Sequence, residues 1–304
     1  MGNLVEPRVI LSNVTKQIGG KTIVDHLSLQ INPGEVFGLL GPNGAGKTTT
    51  IRMIVGLISL TEGEISINGW DIKRDFTKAI AQVGAIVENP EFYLFMSGYQ
   101  NLLHYAKLHA EVTRERIDEV VQQVGLAGRI TDPVKTYSLG MRQRLGVAQA
   151  LLHHPSVLIL DEPTNGLDPA GIRELRTYLR HLAETKGVSV IVSSHLLTEM
   201  ELMCDRTAII KDGRLLDVKV VGDNFFEPKI IFQVDNPSQA GLVIQSQHLA
   251  THVLNTEAGL EVTTERERIP EIVNCLVRDG IKIYGIQAKT KSLEDIFMEV
   301  TAVD

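Results

Sequence analysis

Cysteine is nearly absent: Cys204 and Cys275 are the only two among 304 residues. Two thiols so far apart in sequence are too few for a disulfide scaffold or a metal cluster, and they point to a reducing compartment. Positive charge is not in excess either. The chain has 30 Lys and Arg against 37 Asp and Glu, a net charge of −7. That balance argues against a broad phosphate-tracking surface, so nucleic acid is not an expected partner. No stretch reaches the roughly 18 consecutive apolar residues of a membrane-spanning helix. The longest sticky segment, 92–106, is broken by Ser97, Gln100, Asn101 and His104 and reads as a helix lying against a partner or a core. The first ten residues carry Glu6 and Pro7 and no apolar h-region, so no signal peptide is read there. With only 11 Pro and 26 Gly, collagen-like or largely disordered sequence is excluded. What remains is 43% apolar residues, an ordinary globular composition with length for about two domains.

Along the chain, residues 8–68 read as antiparallel strands, with Ile65 and Ile67 alternating before the turn pair Asn68-Gly69. Between them, residues 36–40 are apolar on both faces and lead through a glycine-rich turn into a helical pattern over 47–56. Two more runs of that buried kind, 157–160 and 188–192, are flanked by helical patterns, which predicts an α/β core with a parallel sheet. Residues 89–152 interrupt it with helical sequence, for instance Ile117, Val120, Val121 and Val124 on one face. A hairpin around Asp212-Gly213 closes this first domain, giving boundaries 1–220 and 221–304. The second domain is expected to be small and α+β, of ferredoxin-like type. Its strands are read at 230–234, 260–264 and 281–286, its helices at 239–249 and 269–279. A last helix, opened by Ser292 and Asp295, carries Leu293, Ile296, Phe297 and Val300.

The chemistry concentrates in three places. Gly41-Pro42-Asn43-Gly44-Ala45-Gly46-Lys47-Thr48 fits G-x-x-x-x-G-K-[ST] between a buried strand and a helix, the context that a phosphate-binding loop requires. Glycines let backbone N–H groups close around phosphate oxygens at a helix N-terminus. Lys47 then reaches the β- and γ-phosphates of ATP, Thr48 ligates Mg²⁺, and Thr49 completes the nucleotide contacts. The run ending in Asp161-Glu162 finishes a buried strand with two adjacent carboxylates, expensive unless a cation or a water needs them. Asp161 is read as a Mg²⁺ ligand, direct or through a bound water, and Glu162 as the group that polarises the attacking water.

With Pro163 to Asp168 following and Tyr137-Ser138-Leu139-Gly140-Met141-Arg142-Gln143 preceding, residues 8–218 closely resemble the nucleotide-binding subunits of ABC transporters. The resemblance implies a P-loop NTPase fold: a RecA-like core with an antiparallel β subdomain and a helical insertion. It also implies that Ser138 and Gly140 contact ATP held by a second copy of the subunit, physically another helix N-terminus aimed at an anion. Asp168 matches the family's inter-subunit loop and His195 its switch histidine. Leu139 and Met141 replace the usual glycine and glutamine of the signature. Ile18 occupies the place of the aromatic residue that stacks on adenine, and Glu88 that of the glutamine linking ATP, through the metal, to the membrane domain. Glu88 with residues 89–93, the signature and residues 292–297 resemble the ATPases of bacitracin-resistance and lantibiotic-immunity exporters.

The leading expectation is therefore a peripheral ATPase at the cytoplasmic face of the membrane, with ATP and Mg²⁺ as cofactors. It dimerises around two nucleotides and drives a separate transmembrane permease that exports a peptide antibiotic or lipid-like cargo. The rival is a soluble ABC-type ATPase acting on another macromolecule, which tandem cassettes or a long coiled-coil insertion would favour. A nucleotide sensor without turnover would lack the water-activating carboxylate, and Glu162 is present.

Overall fold

A computed structural model describes residues 6–221, 229–247, 249–256, 259–264 and 266–289. Contacts divide the chain into two compact units that meet in sequence at Val221–Gly222.

The first unit runs β1 (Val9–Ile18), β2 (Lys21–Ile31), β3 (Val36–Leu40), α1 (Lys47–Ile54), β4 (Glu62–Ile67), β5 (Trp70–Asp71), α2 (Phe76–Ile80) and β6 (Val83–Ile86). It continues with α3 (Gly98–Ala106), α4 (Arg114–Gln123), α5 (Leu139–Ala150), β7 (Val157–Asp161), α6 (Pro169–Lys186), β8 (Ser189–Ser194), α7 (Leu197–Met203), β9 (Arg206–Lys211) and β10 (Arg214–Val220). Two sheets result, one of order β2-β1-β4-β5 and one of order β10-β9-β3-β8-β7-β6. The first is antiparallel; in the second, β9, β3, β8, β7 and β6 pair in parallel and β10 adds an antiparallel edge. Strands β3, β7 and β8 are buried at every position: the apolar runs of β3 and β7 suit a sheet covered on both faces, and β8 buries Ser189, Ser193 and Ser194 around its apolar centre.

Helix α1 lies between the sheets: its Ile51 and Ile54 share one core cluster with Val9 of β1, Ile65 of β4 and Phe37 of β3. Asn68 and Gly69, both at positive φ, close the β4–β5 hairpin, and Asp212 and Gly213 do the same between β9 and β10. The helical insertion holds α3, α4 and α5. Ser97 and Gln100 form a reciprocal capping box at the start of α3, and Ile117, Val120 and Val121 bury one face of α4.

The second unit is β11 (Lys229–Val234), α8 (Pro237–Ser246), β12 (His252–Thr256), β13 (Gly259–Thr263), α9 (Ile269–Arg278) and β14 (Ile283–Lys289). Its sheet is antiparallel with order β12-β13-β11-β14, a split β-α-β arrangement. Phe232, Ile244, Val262, Ile272 and Leu276 form its core. Strand β12 escaped the sequence reading because four of its five residues are exposed and no apolar alternation marks it. Helix α8 starts two residues earlier than expected, where Asn236 caps it by accepting from the Gln239 N–H, and ends at Ser246 rather than Leu249. The helix expected at 292–300 lies outside the described residues.

Candidate functional site

The site forms where β3, β7 and β8 end, the carboxyl edge at which open parallel sheets collect their ligands. The glycine-rich loop leaves β3 at Gly41 and enters α1 at Lys47. A Cβ on Gly41 would stand 2.2 Å from the Ile210 carbonyl oxygen of β9, so only glycine lets the loop pass there. Gly46 caps α1 at φ 103°, a left-handed conformation that costs L side chains dearly. The loop is braced from outside, since the Gly213 N–H donates to the Ala45 carbonyl and the Asp25 N–H to the Gly213 carbonyl. Pro42, Asn43 and Gly44 remain exposed at its rim, with Thr48 and Thr49 half-buried behind them.

Lys47 is only 5% exposed. Its ammonium donates to the carbonyls of Gly41 at 2.7 Å and Pro42 at 3.3 Å, which holds it across the mouth of the loop. Glu162 Oε1 lies 3.4 Å from Lys47 Nζ, and Oε2 lies 2.9 Å from Nδ1 of His195. Glu162 thus touches His195 through one carboxylate oxygen and the lysine through the other. Glu162 sits at φ 48°, and its N–H donates to Ser193 Oγ at 2.8 Å. Asp161, 6% exposed, accepts from the same hydroxyl at 2.5 Å. Ser193 therefore orients both carboxylate residues, one through its side chain and one through its backbone. Sequence reasoning missed it because a serine inside an apolar strand carries no signal of its own; only the register pairing Asp161 with Ser193 reveals it.

Thr48 and Asp161 offer one hydroxyl and one carboxylate, the sparse protein contribution that Mg²⁺ takes when substrate phosphates fill most of its coordination sphere. A buried lysine and a ring of loop N–H groups at a helix N-terminus fit the phosphates of a nucleotide.

The remaining candidates lie elsewhere. Ser138 caps α5 by accepting from the Met141 N–H, and Asp168 caps α6 by accepting from the Gly171 N–H at 3.0 Å. With Gly140 they line a second cavity of about 390 Å³ between the starts of those helices, and neither Lys47 nor Glu162 belongs to its wall. Ile18 stands 52% exposed at the end of β1, on the hairpin whose β2 carries Ile23 against Gly46. Glu88, at φ 71° with its side chain 64% exposed, is ion-paired with Arg52 of α1. Just beyond it Tyr93, Leu94 and Phe95 are exposed, Phe95 at 74%, and Tyr93 packs edge-on against His104 of α3.

The chain is similar to several known proteins. A family described as ABC transporter matches residues 24–165. An uncharacterized ABC transporter ATP-binding protein of Bacillus subtilis, YhcH, is 56% identical over 293 residues, covering 96% of this chain and 95% of the relative. The bacitracin transport ATP-binding protein BcrA of Bacillus licheniformis is 38% identical over 297 residues, covering 95% of each. A dimeric, post-hydrolysis ATP-binding cassette bound to ADP and Pi superimposes with a TM-score of 0.63 at 25% identity, over 71% of this chain and 99% of that one.

Proposed function

This chain belongs to the ABC transporter family of ATP-binding proteins, and from that membership we propose that it is the Mg-ATP-driven motor of an exporter for a peptide antibiotic or lipid-like compound. In this reading two copies close around two nucleotides, and each site takes Lys47 from one chain and Ser138 from the other. The observation that carries it is the split of the candidate residues into two separate groups on one chain. One group holds a lysine and a water-activating carboxylate, and the other two capped helix N-termini with no lysine. A half-site of each kind needs a second copy to complete it.

Lys47 and the loop N–H groups from Gly41 to Thr49 bind the phosphates, and Glu162 draws a proton from the attacking water while His195 and Ser193 hold it in place. Thr48 and Asp161 would hold Mg²⁺, which when bound would supply neutralisation of the phosphate charge. Ser138, Gly140 and Asp168 close over the γ-phosphate from the opposite chain, and Ile18 lies along the adenine.

Among the described residues no helix is long and apolar enough to cross a membrane, so a separate subunit spans it in this reading. The exposed Tyr93, Leu94 and Phe95, next in sequence to Glu88, supply an apolar surface for that subunit at the cytoplasmic face. The bacitracin transport protein of B. licheniformis, similar over nearly its whole length, supports the cargo class.

Glu162→Gln tests the assignment. It should bind Mg-ATP, hydrolyse it at least about a hundredfold more slowly, as loss of a general base does, and accumulate as a dimer in light scattering. A variant that stays monomeric at saturating Mg-ATP, or turns over at the parental rate, removes Glu162 from this role. Stimulation of ATP turnover by bacitracin in membranes carrying the permease tests the cargo; stimulation by none of the peptide antibiotics offered would favour a soluble partner instead.

A further inference from the structure

A cavity of about 510 Å³ opens between the end of α4, the middle of α5 and the outer face of α6. Val124, Val147 and Leu175, all buried, and the ring of Tyr178 give it an apolar wall. Arg144 and Arg173 stand at its edge with a single carboxylate, Glu174, which lies 3.4 Å from Arg144. Volume and lining match a small-molecule pocket, predominantly apolar with a few convergent polar groups. Two guanidiniums against one carboxylate leave the edge net positive, which selects an anionic occupant.

Arg144, Glu174 and Leu175 belong equally to the wall of the second cavity, the one that holds Ser138 and Asp168. The Arg144–Glu174 pair is the partition between the two. We propose that the larger cavity binds an amphipathic organic anion, whose apolar body lies along Val124, Val147 and Tyr178 and whose charged group draws Arg144 away from Glu174. With its partner withdrawn, Glu174 presents an uncompensated negative charge to the cavity in which the partner's γ-phosphate is seated. The occupant therefore opposes ATP-driven dimerisation. This last consequence rests on the reading under Proposed function; the binding site does not.

Two dyes with the same ring body test the site in the nucleotide-free protein: 8-anilinonaphthalene-1-sulfonate and the uncharged N-phenyl-1-naphthylamine. Fluorescence titration should give one site per chain, with the sulfonated dye bound at least tenfold more tightly. Thr177→Trp, at an exposed lining position, should block both dyes. Arg144→Met should remove the tenfold difference, and Glu174→Gln, which leaves Arg144 without a competitor, should tighten the sulfonated dye several-fold. Equal affinity for the two dyes, indifference to Thr177→Trp, or no gain in Glu174→Gln would overturn the site. In light scattering of the Glu162→Gln protein with Mg-ATP, saturating sulfonated dye should lower the dimer fraction at least twofold. A dimer that forms and ignores the dye overturns the antagonism, whereas a protein that never dimerises overturns the motor reading and leaves the titration to judge the site.

Discussion

Ser138 carries two roles, one visible within this chain and one assigned across a dimer, and two substitutions separate them. Its hydroxyl accepts from the Met141 N–H at 3.2 Å and caps α5. Ser138→Ala removes the cap, which costs about 1 kcal/mol. In a unit spanning residues 1–221 that lowers the melting temperature by about 2–4 °C. Ser138→Asp keeps an N-cap acceptor, and its charge is favoured by the helix dipole, so stability should stay within about 0.5 kcal/mol of the parent. The effect on nucleotide is opposite. A carboxylate about 4 Å from a phosphate at an effective dielectric of about 20 meets a repulsion of up to about 4 kcal/mol, which solvent screening reduces. At least a tenfold loss of ATP-driven dimer is therefore expected. Urea denaturation measures the first quantity and light scattering in the Glu162→Gln background the second. The reasoning fails if Ser138→Asp dimerises like the parent, which would put the hydroxyl away from the γ-phosphate. It also fails if Ser138→Ala loses no stability.

Gly41→Ala forces a Cβ to within 2.2 Å of a strand carbonyl and should cost about 1–3 kcal/mol or more, while Gly128→Ala, in open space, should be neutral or slightly stabilising. Equal denaturation midpoints for the two would contradict the packing at the loop. Ile18→Tyr adds a ring at an exposed position, so stability should hold while stacking worth about 0.5–1.5 kcal/mol tightens ATP about 2- to 12-fold; unchanged affinity by calorimetry would separate the β1 end from the base. His153 is partly buried, and burial first, then the His109 ring stacked on it at 4.5 Å, hold its pKa below the usual value. Below about pH 6.5 the unfolded chain binds a proton that the folded chain refuses, so stability falls with falling pH through that window, and His153→Gln should flatten the fall. Parallel pH–stability curves for parent and variant would count against it.

The candidate nucleotide site was legible because its geometry is local. A loop between one strand and one helix, and two carboxylates at a strand end, are contiguous in sequence, and burial of β3 and β7 follows from unbroken apolar runs. Register was not legible. Nothing in the sequence says that β8 lies beside β7, and it is that neighbour that brings Ser193 and His195 to Asp161 and Glu162. The Arg52–Glu88 pair was hidden for the same reason: it joins α1 to the end of β6 across 36 positions. Exposed edges were the other blind spot, as β12 demonstrates, because sheet pairing there is made by backbone and leaves the side chains free to be polar.

The contact between Lys47 and Glu162 links stability to the proposed cycle. An ammonium buried as deeply as this one cannot be left without partners, and two carbonyls and one carboxylate serve. Incoming phosphate offers Lys47 a stronger partner of the same sign as Glu162, and the two anions then repel across it. The carboxylate cannot go on neutralising the lysine and also face a water on the γ-phosphate. In the proposed cycle, nucleotide arrival therefore releases Glu162 towards that water, while its His195 partner and the backbone bond to Ser193 hold its place. In that reading the base turns to water only once nucleotide phosphate has taken the lysine from it.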